Sequence, residues 1–146
     1  ASEDWESGGF SGGSGWLNAW SVQGGNDAVV TTQNSPFEGT SHLRVRSSNG
    51  YASRDVDLSG QTGVHLTFYA KAEGFEGSDG ASVLVSPDGV TWTTVKVFNV
   101  ADSDEVYRLV DIDISSYSMT SQFYIAFEGN MNNPSDRLLI DKIELD

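Results

Sequence analysis

The sequence predicts an all-β chain folded as a two-sheet antiparallel β-sandwich. Three observations lead there. No window carries apolar residues at i, i+3, i+4 and i+7 over three turns. Short β-branched or aromatic runs recur instead, separated by clusters of Gly, Ser, Asn and Asp. The 16 glycines supply many turns, and Pro36, Pro87 and Pro134 all fall in turn-like settings.

The elements follow in order. Residues 16–22, 28–32, 41–47 and 52–58 read as strands in a less regular first half. Residues 64–71 are the clearest strand: Val64, Leu66, Phe68 and Ala70 share one face, and His65, Thr67, Tyr69 and Lys71 the other. Residues 82–86 and 90–98 form a hairpin across Pro87-Asp88-Gly89, where proline presets the turn and glycine accepts a positive φ. Residues 105–114 alternate again, with Val106, Arg108, Val110 and Ile112 on one parity. Phe123, Ile125 and Phe127 mark the next strand, and residues 138–145 the last. About nine or ten strands suit a sandwich. Long connections at 73–80 and 129–136 are of the kind that jelly rolls use for function. Residues 1–146 read as one domain, without linker or repeat. The Gly/Ser stretch at 8–15 is a loop and not a phosphate cradle, because no Gly-Lys-Ser/Thr ending and no helix follow it.

Composition narrows the function classes. A hydrophobic fraction of 38%, with seven Phe, five Tyr and four Trp, supports a real core and excludes a disordered acidic tail. The absence of cysteine excludes disulfides, zinc–thiolate sites and a cysteine nucleophile. A net charge of −13 argues against nucleic acid and against anionic membranes. Apolar runs of only a few residues predict no membrane insertion. Neutral ligands, cationic ligands and divalent cations remain. His42 and His65 sit singly in strand-like runs without zinc spacing and read as structural residues. The Gly9-Phe10-Ser11-Gly12-Gly13 spacing falls inside the Gly/Ser loop with no helix after it and is not a nucleophile elbow, so nothing supports an enzyme.

Two kinds of site residue stand out. Asp141 interrupts an apolar strand, where an unpaired charge is costly; a metal, an arginine or a cluster of backbone amides would each relieve it. Sugars present C–H faces that aromatic rings cover and hydroxyls that polar side chains bind. Trp16 and Trp20 share a parity and flank Asn18; Tyr51 lies near Arg54; Tyr69 is on the outward parity of its strand. These six are the candidate ligand contacts. The amide-rich loop at 130–133 is a lesser candidate. Trp5 and Trp92 read as packing residues.

Four motifs in chain order carry a family resemblance: Asp4-Trp5-Glu6; Glu38-Gly39-Thr40-Ser41-His42-Leu43-Arg44-Val45; the Val83–Trp92 hairpin with Ser86-Pro87-Asp88-Gly89; and Leu139-Ile140-Asp141-Lys142-Ile143-Glu144-Leu145. Together they resemble the galactose-binding-like and MAM-like jelly rolls of extracellular proteins, including the carbohydrate-binding modules of secreted enzymes. The resemblance implies a structural calcium at Glu6 and Asp141, with oxygens from the turn at Glu38 and Ser41 and with Asp4 or Glu3 as further carboxylates. It also implies a non-catalytic module of a larger secreted or cell-surface protein, with a polysaccharide or glycan as partner; the absence of a coiled-coil pattern predicts a monomer. A non-glycan accessory or adhesion domain on a secreted protease is the alternative on the same fold.

Overall fold

A computed structural model describes residues 1–146. The chain forms eleven strands: β1 (Ser2–Glu3), β2 (Ser21–Gln23), β3 (Ala28–Thr31), β4 (His42–Arg46), β5 (Tyr51–Val56), β6 (His65–Glu73), β7 (Gly80–Ser86), β8 (Thr93–Phe98), β9 (Arg108–Asp113), β10 (Phe123–Asn130) and β11 (Arg137–Leu145). They pair antiparallel in two sheets. One runs β3-β4-β11-β6-β9 with β1 added against β11, and the other runs β2-β5-β10-β7-β8. The predicted sandwich is what forms.

Strict alternation builds the core. Leu66, Phe68, Ala70 and Ala72 of β6 face inward beside Leu138 and Ile140 of β11. Phe123, Ile125 and Phe127 of β10 face them from the second sheet, flanked by Val83 and Val85. Phe68 meets Phe127 edge-on between the sheets, with centroids 5.2 Å apart. Each such side chain contributes about 1.5–3 kcal/mol by leaving water.

The N-terminal segment departs from the sequence reading. Of the expected 16–22 strand only residues 21 and 22 pair, within β2, while Trp16 makes a lone bridge to Val56. The segment instead closes one edge of the sandwich with tryptophans. Trp5 and Trp20 lie 5.1 Å apart, and Trp16 and Trp20 lie 5.6 Å apart. Inside this cluster, Arg54 Nη1 donates to Glu3 Oε2 at 2.6 Å, with both side chains almost fully buried. Glu3 also accepts from the Trp5 amide and the Trp20 indole. Arg54 also donates to the carbonyls of Gly12 and Asn18.

The two histidines behave differently. His42 is fully buried on the outer side of the first sheet, under the segment joining β3 and β4. Its Nε2 donates to the Gln33 carbonyl at 2.6 Å, which leaves Nδ1 to accept from the Tyr107 hydroxyl. Burial foremost, with Lys71 and Arg44 adding, pulls it down to about 4, against the opposing pull of Glu73. His65 is exposed, and its hydrogen bond to Asp111 holds it above the ordinary range.

Two predictions follow from these geometries. In an NMR titration, His42 should titrate near 4 and His65 above the usual histidine midpoint. Because the unfolded chain takes up the His42 proton first, that group removes stability as pH falls from about 6.5 towards 4; equal midpoints would refute the burial argument. Separately, Arg54→Met strands a buried Glu3 charge and should cost about 3–5 kcal/mol in urea unfolding. The Glu3→Gln, Arg54→Met double variant should lose less than the sum of its parts.

Candidate functional site

The outer faces of the two sheets are unlike. On the first, the segment between β3 and β4 straps over the strands. Phe37 stacks on Tyr69 with centroids 3.7 Å apart and meets Tyr107 edge-on. Lys71 is drawn under the strap, donating to the carbonyls of Asn34 and Ser35. Tyr69 is therefore on the outward parity, as expected, but its ring face is taken.

The second sheet keeps an aromatic row. Cross-strand register lines up Gln23, Tyr51, Glu128, Ser82 and Val97 across the five strands. Tyr124 lies on the same face, opposite Asp55 and Ser86. Trp92 stands between the two tyrosines, with its ring 6.4 Å from Tyr51 and 6.0 Å from Tyr124, edge-on to both. All three rings are half-buried.

The β7–β8 turn delivers Trp92. Asp88 Oδ1 accepts the amides of Val90 and Thr91 at 2.8 Å each, and Ser86 Oγ accepts that of Gly89. Gly89 has φ 76, and a Cβ there would lie 2.9 Å from the Tyr124 ring. The glycine lets the turn rest on Tyr124. Glu128 and Gln23, both exposed, place hydrogen-bonding groups beside the rings. Burial first, and the Glu128 carboxylate with it, hold the Tyr51 phenol above its ordinary range. Rings with flanking amide and carboxylate groups can cover C–H faces and bind hydroxyls.

The sequence candidates distribute unevenly over this geometry. Tyr51 is in the row. Asn18 sits at its Tyr124 end, where its side chain and that of Gln122 both donate to Asp55. Trp20 is only 4% exposed and Arg54 only 5%, so both are interior groups and offer no ligand surface. The shared parity of Trp16 and Trp20 misled because their segment is not a strand. Trp16 is spent on packing: its indole donates to the Ser2 carbonyl and the Arg54 guanidinium lies over its ring. Trp92 and Tyr124 were missed. Tyr124 was readable, since it alternates with Phe123 and Ile125; Trp92 reaches the face only through the turn.

A second centre gathers around residues 37–41. The Asp141 carboxylate accepts the amides of Glu38 and Lys142 at 3.1 and 2.8 Å. Glu6 accepts the amides of Thr40 and Ser41. Gly39, at φ 63, lies between them, and a Cβ there would sit about 2.4 Å from the Glu6 carboxylate. Lys142, with φ 52, marks the bulge where β11 exchanges β4 for β1 as its neighbour. Glu38 pairs with Lys142 at 3.0 Å, whereas no lysine or arginine bridges Glu6 or Asp141. Asp141 is fully buried, and desolvation foremost, with Glu6 adding, pushes its carboxyl up to about 6. Two carboxylates held by one turn, neither in a salt bridge and one of them buried, are hard-oxygen donors of the kind a cation such as calcium takes. Glu3 is not available to it, being committed to Arg54.

No family model and no curated protein sequence matches the chain. Solved structures do. TmCBM61, solved in complex with β-1,4-galactotriose, superposes with a TM-score of 0.67 at 16% identity, over 98% of this chain and 93% of its own. The CBM22-1 xylan-binding domain of Paenibacillus barcinonensis Xyn10C gives 0.66 at 17%, over 99% and 91%. The K1 cleaved adhesin domain of Lys-gingipain from Porphyromonas gingivalis W83 gives 0.67 at 14%, over 100% and 96%. The chain thus has the jelly-roll β-sandwich fold of carbohydrate-binding modules, a fold shared with those adhesin domains.

Replacing Gly39 with alanine should displace the Glu6 carboxylate and strain the turn. A loss of about 1–3 kcal/mol in thermal or urea unfolding is expected. An unchanged midpoint would mean that the turn does not depend on this close approach.

Proposed function

We propose that this domain is a non-catalytic carbohydrate-binding module of a secreted or cell-surface protein. The Tyr51–Trp92–Tyr124 row on the outer face of the second sheet carries the reading. It is a ridge of partly exposed rings flanked by Glu128 and Gln23 on an otherwise β-branched and Ser/Thr-rich surface. The fold supports it, since modules that bind galactotriose and xylan share the architecture at low identity. The acidic surface is consistent with a neutral polysaccharide and with a monomer. No helix is long and apolar enough to cross a membrane.

Glu6 and Asp141 would hold a structural calcium, with oxygens from the Glu38–Ser41 turn as further candidate ligands. Bound there, the ion supplies charge neutralisation and fixes the turn. The residues themselves join the start of the chain to its last strand: Glu6 orients the Thr40 and Ser41 amides, and Asp141 orients that of Glu38.

Retention on a panel of soluble and insoluble polysaccharides tests the glycan reading, with Trp92 fluorescence as a second readout. Tyr51→Ala and Trp92→Ala should each weaken binding at least tenfold, or about 1.4 kcal/mol, with little change in unfolding. A folded protein retained on nothing in the panel would move the assignment to an accessory or adhesion domain. Calcium at about 100 times its dissociation constant should add about 2.7 kcal/mol of stability, a rise on the order of 5–10 °C. Asp141→Asn should remove this centre's share of that rise, and an identical melting point in chelator and in calcium would refute the metal centre.

A further inference from the structure

The two long connections at one end of the sandwich hold a separate acidic cluster. Glu76 and Asp79 belong to the β6–β7 loop, and Asp136 to the β10–β11 loop. One carboxylate oxygen from each lies within 4.8 Å of the others. Oxygens about 2.4 Å from a common ion are at most about 4.8 Å apart, so a single ion can touch all three.

The cluster is built and not merely crowded. Asp79 is 5% exposed and is fixed by the amides of Glu76 and Asn132, each at 3.0 Å, so it ties one loop to the other. Asp136 is 4% exposed, and its Oδ2 is buried with no hydrogen-bond partner. Gly74 runs past it so closely that a Cβ would lie 2.8 Å from Asp136 Oδ1. No cationic side chain answers the three carboxylates. Arg137, next in sequence, turns to Glu73 at 2.8 Å, and Lys71 is bridged to the same glutamate. Asp136 thus carries a buried, unpaired oxygen in a cluster with two further carboxylates and has no positive partner.

We propose that Glu76, Asp79 and Asp136 form a calcium site that staples the β6–β7 loop to the β10–β11 loop, independently of Glu6 and Asp141. The donors are all hard oxygens, with no nitrogen or sulfur, which favours a hard cation over zinc. Three protein carboxylates in one cluster favour calcium over magnesium, which keeps most of its water and takes one or two. The half-exposed position, with Glu76 open to solvent, allows an ion to enter and leave.

Calcium bound per chain, measured by equilibrium dialysis up to about 10 mM free ion, tests this, since extracellular modules bind with dissociation constants of about 0.1–1 mM. Glu76→Gln is the safe variant, because its side chain is exposed and supports nothing else. Asp136→Asn keeps the shape. In the Glu6→Gln background one equivalent should remain; Asp136→Asn should remove it, and Glu76→Gln should weaken it at least tenfold. Calcium should also slow hydrogen exchange at the Asn132 amide in Glu6→Gln protein, and not once Asp136→Asn is added. Calcium binding unaffected by Asp136→Asn and Glu76→Gln would overturn the proposal and leave a shared proton as the occupant, whatever Glu6→Gln does. Loss confined to Glu6→Gln would uphold only the Glu6–Asp141 centre; loss confined to the other two would uphold only this one.

Discussion

The buried Glu3–Arg54 pair is the constraint on which the rest of the molecule turns. Arg54 occupies an inward position of β5, between Ala52 and Val56, where the alternation would otherwise place an apolar side chain. Burying two ions costs several kcal/mol each, so the pair persists only with its remaining polar groups satisfied. They are: two tryptophan-borne N–H groups serve Glu3, and two backbone carbonyls serve Arg54. Those partners come from residues 5, 12, 18 and 20. The pair therefore organises the whole N-terminal segment and packs its three tryptophans against the open edge of the sandwich.

That arrangement decides which surface is left for binding. Three of the four tryptophans are consumed in closing the edge, and the first sheet is roofed by Phe37 and its strap. The second sheet keeps a row of three half-buried rings outward, and the remaining tryptophan, Trp92, is brought there by a turn held by Asp88 and Ser86. The platform is rigid because its three rings come from β5, β10 and one short turn. On the proposed function, a face set by strands and pinned by a turn would meet a repeating polymer with little ordering cost.

The sandwich was legible because two-residue alternation is local and strong. Residues 64–71, the Pro87-Asp88-Gly89 hairpin and the Phe123–Phe127 run appear in the structure close to where the pattern puts them. The site was only partly legible. Tyr51 and Tyr69 both read as outward, and both are; whether a strap covers an outward ring is a long-range fact that parity does not carry. Trp16 and Trp20 failed because parity means nothing outside a strand. Arg54 held an unused signal: an arginine on the apolar parity of a strand implies a buried acid, and Glu3 is that acid.

The charge of −13 finally acquires a structural sense. Most of the acidic side chains are exposed, but Asp55, Asp79, Asp136 and Asp141 are buried outside any salt bridge; the side-chain amides of Asn18 and Gln122 serve Asp55, which leaves three. A chain with few cations cannot neutralise such groups from its own side chains. It has backbone amides, which orient Asp79 and Asp141 but bring no net charge. Each of the three also lies where segments distant in sequence meet: Asp141 beside the residue 37–41 turn, Asp79 and Asp136 between two long loops. On the proposed assignments, a cation drawn from solvent at such junctions would do what a disulfide does in a cysteine-containing module, joining the loops there. With those sites filled, loop order in this cysteine-free, acidic chain would be a property of the medium as much as of the sequence.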